Sequence, residues 1–156
     1  MKDPNRLETL LLRYENTLYR AALAALGNTQ DAEDAVQDTF LRFLERAPEF
    51  QSPDHEKAWL LRVTINGCRS RLRRAWRHPT LPLLEEIPAA GPEEQEVLEE
   101  IFSLPAKERI AVHLFYYEGY QTREIAAMTG EPEGTVRSRL SRARKALGKV
   151  LKERRD

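Results

Sequence analysis

Apolar residues recur at helical spacing along most of the chain. Leu7, Leu10, Leu11, Tyr14, Leu18 and Ala22 fall three or four positions apart and predict an amphipathic helix over residues 6–26. Gly27 and Asn28 suit its end. A second helix should follow, capped by Thr29 or Asp31. Its stripe is Ala32, Ala35, Val36, Thr39, Phe40, Phe43 and Leu44, with Asp31, Glu33 and Asp34 in the first turn, where the helix dipole favours acids. Pro48 closes it. The run PEFQSPDHE reads as a loop. A third helix is expected over residues 55–76, with Trp59, Leu60, Val63 and Leu72 toward the core.

Residues 78–92, HPTLPLLEEIPAAGP, hold four prolines and a glycine and read as an acidic, Pro-rich linker. They divide the chain into modules of residues 1–77 and 93–156. The second module should hold a helix near 93–103 and another from about Pro105, in its first turn, to Glu118. Two more helices around a tight turn should follow. No alternating strand pattern or hairpin dipeptide is visible. The expected fold class is all-α, as two small helical domains, each with a core of marginal stability.

Charge changes this picture. The 25 basic and 25 acidic residues cancel, but they are segregated along the chain. Residues 57–78 carry seven basic and no acidic residues, 79–108 eight acidic and one basic, and 133–156 nine basic and three acidic. Two basic blocks on amphipathic helices point to a polyanion rather than to solvent alone. With one cysteine there is no intramolecular disulfide, and Cys68 reads as a packed thiol rather than a nucleophile. His55, His78 and His113 are too scattered for a zinc site. No phosphate loop or nucleophile–base pair suggests an enzyme, and no cofactor is implied. The opening residues do not read as a signal peptide and no apolar run is long enough for membrane insertion, so a cytoplasmic protein is expected.

The stretch from Thr122 to Leu147 carries the most specific pattern. Ile125, Ala126 and Met128 lie on a first helix, with Ala126 small enough for a helix crossing. Gly130 permits a left-handed turn, and Pro132 and Glu133 suit the next helix start. In that helix Val136, Leu140, Ala143 and Leu147 form one stripe, and Arg137, Ser138, Ser141, Arg142 and Lys145 point away from it. No acidic residue interrupts the outward face between Arg137 and Lys149. An apolar stripe backed by Arg and Ser fits a helix-turn-helix whose second helix lies in a DNA major groove.

YQTREIAAMTGEPEGTVRSRLSRARKAL resembles region 4 of bacterial sigma factors of the sigma-70 family, particularly the extracytoplasmic-function group. DAEDAVQDTFLRFLER resembles region 2.2, and KAWLLRVTINGCRSRLRR, with its Trp-Leu-x-Arg-Val-x-x-Asn pattern, resembles regions 2.3 to 2.4. The resemblance spans about residues 6–151. It implies a promoter-specificity subunit of core RNA polymerase that reads −10 and −35 promoter elements, contacts the β′ clamp coiled coil and the β flap, and in many relatives is held by an anti-sigma factor.

Residue by residue, the resemblance places Asp34, Gln37, Asp38 and Leu41 against the polymerase. The outward geometry of the second helix agrees and adds Glu33 and Arg42. Leu41 is either part of that surface or an ordinary exposed leucine. Phe50 and Asn66 match the family's pocket for a base leaving the stack, with Trp59 between them as core. Arg62, Arg69, Arg73 and Arg74 would hold phosphates, and Arg137, Ser138, Ser141 and Arg142 would read the −35 element, with Lys145 beside them meeting phosphate or solvent. The linker would run through polymerase channels or serve as a solvated tether. Ser70 stands where an aspartate is common in the family, and Thr129 and Glu131 stand where apolar residues are common. These two are expected to loosen the turn or to suit a particular partner. The competing reading is a polymerase-independent helix-turn-helix regulator, which predicts a dimer on a two-fold operator.

Overall fold

The structure, a computed structural model, describes residues 4–76 and 99–148. The chain divides into two compact units, Met1–Leu81 and Pro82–Asp156. No strand occurs among the described residues. The linker expected over 78–92 and the start of the helix expected near 93 lie outside them.

In the first unit three helices pack on one another: α1 (Pro4–Leu26), α2 (Thr29–Arg46) and α3 (Pro53–Trp76). Leu18 and Ala22 of α1, Phe40 and Phe43 of α2, and Leu60, Leu61 and Ile65 of α3 fill the core. Each large side chain buried this way contributes about 1.5–3 kcal/mol. Gly27, at φ 69°, takes the left-handed conformation that ends α1. The sharp turn leaves Asn28 extended, and its side chain accepts the Asp31 amide at 2.9 Å. The cap of α2 is therefore Asn28 and not Thr29 or Asp31. Ala47 is extended, as the residue before Pro48 must be, and α2 stops at Arg46.

Two stripes differ from expectation. Phe43 takes the last core position of α2, and Leu44, 100° further round, is 40% exposed. On α3 the buried positions are Leu60, Leu61, Thr64, Ile65 and Cys68, whereas Trp59, Val63 and Leu72 are half-buried. Thr64 concealed this register, because a threonine inside a core stripe reads as polar. Its hydroxyl lies 2.8 Å from that of buried Thr39, and each hydroxyl also reaches a carbonyl of its own helix, Leu60 O and Ala35 O. The polar pair is thus satisfied without water. Cys68 is fully buried, and burial pushes its thiol up to about 12.

In the second unit residues 99–102 are helical, followed by α4 (Ala106–Val112), a π-helical turn (His113–Tyr117), α5 (Thr122–Thr129) and α6 (Glu133–Leu147). Pro105 stands just before α4, and its carbonyl accepts the Glu108 and Arg109 amides. The single helix expected to run to Glu118 changes pitch, with the Glu118 amide reaching back five residues to His113 O at 3.0 Å. Leu104, Ile110, Leu114, Ile125, Met128, Leu140 and Leu147 build this core. Arg109 is buried among them, where its guanidinium donates to Leu104 O and sits over the Phe102 ring, and desolvation lowers its pKa.

Candidate nucleic-acid interface

Helix α6 is fastened by its stripe. Val136, Leu140, Ala143 and Leu147 are all buried, as the spacing requires. Arg137, Ser138, Ser141, Arg142 and Lys145 are exposed on the opposite side, so one helix face carries all four predicted readers and Lys145 beside them. Gly130, at φ 70°, makes the turn between α5 and α6. A non-glycine residue there would be strained.

The outward face is not free of acids, as the sequence of α6 alone suggested. They arrive from its first turn, from the turn before it and from α4. Glu133 lies 3.1 Å from Arg137 Nη1 and accepts from the Thr122 hydroxyl at 2.8 Å. Glu108 of α4 lies 3.3 Å from Arg142 Nε. Arg144 donates to the Tyr116 hydroxyl at 2.7 Å and stands over the Phe115 and Tyr116 rings. Glu131 pairs with Arg139, both largely shielded from water. Thr129 is buried, and its hydroxyl donates to Ile125 O at 3.0 Å. Thr129 is thus satisfied within its own helix, and Glu131 ties the turn to α6 through Arg139.

The first unit presents a different face. Trp59, Arg62, Asn66, Arg69 and Arg73 are spaced by three and four residues and share one side of α3. Arg62, Asn66 and Arg73 are exposed, as is the adjoining Arg74, and Arg69 is half-buried. Phe50 is half-buried in the loop before α3, with its ring stacked on Phe43 at 6.4 Å and angled against Trp59 at 5.8 Å. Trp59 is thus shared between core and surface. It links Phe50 to the stripe that holds Asn66.

Sequence reasoning missed His55. Its amide donates to Ser52 Oγ, its Nδ1 accepts the Gln51 amide, and its ring meets Phe50 edge-on at 5.3 Å. The Ser52–His55 spacing, a capping distance, was the one available signal.

On α2, Glu33, Gln37, Asp38, Leu41 and Arg42 are exposed and Asp34 is half-buried. Two grooves divide this face. Glu33 and Gln37 border one against α1, floored by Leu11, Val36 and Phe40. Leu41 and Asp38 border the other, of about 380 Å³, against α3. There Asp38 pairs with Arg71 at 2.6 Å, and Ser70 lines the same groove. No group of side chains able to hold a metal ion occurs among the described residues. None of the described helices is long and apolar enough to cross a membrane.

Residues 10–78 match the family model of sigma-70 region 2, and residues 94–147 match that of sigma-70 region 4. The chain belongs to the sigma-70 family of sigma factors, in its extracytoplasmic-function group. A similar relative is the sigma factor SigM of Mycobacterium tuberculosis, 36% identical over 96% of this chain and 79% of the relative. SigW of Bacillus subtilis is 28% identical over 90% of this chain and 86% of its own. Among solved structures, the sigma factor RpoE bound to the anti-sigma factor NepR from Bartonella quintana aligns with a TM-score of 0.77. That match has 26% identity and covers 94% of this chain and 97% of that one. CnrH, in complex with the cytosolic domain of CnrY, aligns with a TM-score of 0.65 and 28% identity over 97% of this chain and 90% of its own. In this sigma factor, α6 is thus the second helix of the helix-turn-helix within region 4, and the α3 stripe belongs to region 2.

Proposed function

We infer that this chain is the promoter-specificity subunit of a bacterial RNA polymerase, binding the core enzyme, recognising two promoter elements and helping to open DNA. The observation that carries the residue-level reading is the α6 face, where Arg137, Ser138, Ser141, Arg142 and Lys145 stand together over a buried stripe. Arginine can pair with guanine edges, and serine and lysine can meet bases and phosphates. On this reading α6 takes the −35 element. The α3 stripe takes the −10 element, with Arg62, Arg69, Arg73 and Arg74 on phosphates.

Opening a duplex costs a few kcal/mol for each base taken out of the stack. The Phe50 ring offers a face for such a base and Asn66 a hydrogen-bonding edge. The α2 face, with Asp34, Gln37, Asp38 and Leu41, supports docking on the β′ clamp coiled coil, and region 4 would meet the β flap. The protein would act in the cytoplasm, catalyse nothing itself and be open to control by an anti-sigma factor, as the two complexes of similar fold suggest.

Reconstitution with bacterial core polymerase tests this. The chain should co-purify with core and start transcription from a subset of a promoter library. Failure to associate with core, together with dimeric binding to two-fold duplex sites, would establish a polymerase-independent regulator instead.

A further inference from the structure

Four arginines of α6 have partners of different kinds, and one arrangement stands out. Arg139 is shielded and engaged with Glu131, and Arg144, although exposed, is engaged with Tyr116 through Nε and stands over two aromatic rings. Arg137 meets an acid one turn back on its own helix, through a terminal nitrogen, and that acid is itself 43% exposed. Arg142 is 62% exposed, yet it meets a carboxylate from another helix that is only 12% exposed. The closest approach is to Nε. Nε lies at the base of the guanidinium fork, so this contact leaves the Nη1–Nη2 edge for a second planar partner.

We propose that Glu108 is a positioning residue for promoter reading, holding the Arg142 guanidinium by Nε so that its outer edge is presented to a base pair. The proposal rests on the reading of α6 as the DNA-facing helix. A long exposed arginine samples many rotamers, and fixing one of them on binding weakens affinity. Glu108 sits in the first turn of α4, where the helix dipole favours its charge and the helix holds its backbone. Its carboxylate is largely shielded from water, which strengthens its attraction for the guanidinium. Glu133 cannot do the same for Arg137, because an exposed pair within one helix is weak and mobile. Arg142 should therefore discriminate between base pairs more sharply than Arg137.

Electrostatics gives the proposal a distinctive sign. An acid near DNA repels phosphates, so removing one should leave sequence-independent binding unchanged or stronger. Loss of a positioning group should nevertheless weaken selective binding. The two effects run in opposite directions, which a general loss of folding cannot produce.

The test uses holoenzyme reconstituted from the full-length chain and bacterial core polymerase, bound to promoter fragments randomised across the upstream element. Arg142→Ala should flatten the base preference at one or two adjacent positions. Glu108→Ala should reduce the preference at those same positions by roughly three- to thirtyfold, the size of a direct side-chain coupling. Binding to a scrambled upstream element should hold or rise. Glu108→Gln, which keeps the shape but removes the charge of the ion pair, should lose much of the same preference. In an Arg142→Ala background, Glu108→Ala should change nothing further. Unaltered preferences in Glu108→Ala, tighter binding of the preferred sequence, or an effect that persists without Arg142 would each overturn the positioning role while leaving Arg142 as the reader. Unaltered preferences in Arg142→Ala would overturn the reader and its support together.

Discussion

The two basic helices, α3 and α6, hold their arginines in opposite ways. On α6 every arginine from 137 to 144 has a partner within its own unit: Glu133, Glu131, Glu108 or Tyr116. On α3 Arg71 is tied to an acid, Asp38, while Arg62, Arg73 and Arg74 stand exposed with no ion pair among the described residues. The contrast separates two uses of positive charge. An arginine braced by a shielded acid of another helix, as Arg142 is by Glu108, loses charge-driven affinity but gains defined geometry, which reading a base edge requires. Bare arginines keep their full attraction for phosphates and read nothing. On the proposed reading Arg142 follows the first plan and the exposed arginines of α3 the second.

The largest expected effect comes from removing what holds α6 in place. Leu140 is 1% exposed at the centre of the stripe, so Leu140→Ala should destabilise the second unit by about 2–5 kcal/mol. Denaturant unfolding should then show an early transition for that unit with the other unchanged. A shift of both transitions would mean the two units do not melt independently, and the comparison would have to be redrawn.

A middle effect concerns the bare arginines. Arg73→Ala and Arg74→Ala should each lower the slope of log binding constant against log salt by about one, with similar loss on every promoter sequence. Promoter-dependent losses would move them into the group that reads bases.

The smallest effect is a control on the region 2 core beneath the stripe. Cys68 has its thiol raised from 9.0 to about 12 by burial, so it stays neutral in the fold well after it would ionise in the unfolded chain. Its contribution to stability is complete below pH 9 and lost as pH rises toward 12. Between pH 8 and pH 10 stability should fall by about 1 kcal/mol more in the parent than in Cys68→Ala, as read by urea titration. Equal losses would place the thiol nearer to solvent.

Much of this was legible in the chain itself. The α6 stripe is legible because Val136, Leu140, Ala143 and Leu147 are all apolar and every residue between them except Ala146 is polar. The α3 stripe was misread by one position because Thr64 lies within it, and a hydroxyl paired with Thr39 across the core is invisible along one strand of sequence. The cap at Asn28 was missed because Gly27 turns the chain one residue earlier than the acidic cluster suggested. Local spacing could bring Glu133 to Arg137. It could not bring Glu108 to Arg142, since those residues meet only after α4 and α6 pack together.

The division of labour between the two helices can be measured directly. Holoenzyme is bound to promoter fragments in which the upstream and downstream elements are both randomised, and base preferences and strand opening are read for the parent, Arg142→Ala and Asn66→Ala. The account predicts that Arg142→Ala alters the upstream element alone, by about five- to 150-fold at its base pair. Asn66→Ala should impair opening and alter the downstream element alone, with core association intact. Changes in the same element from both substitutions, or in neither, would contradict it.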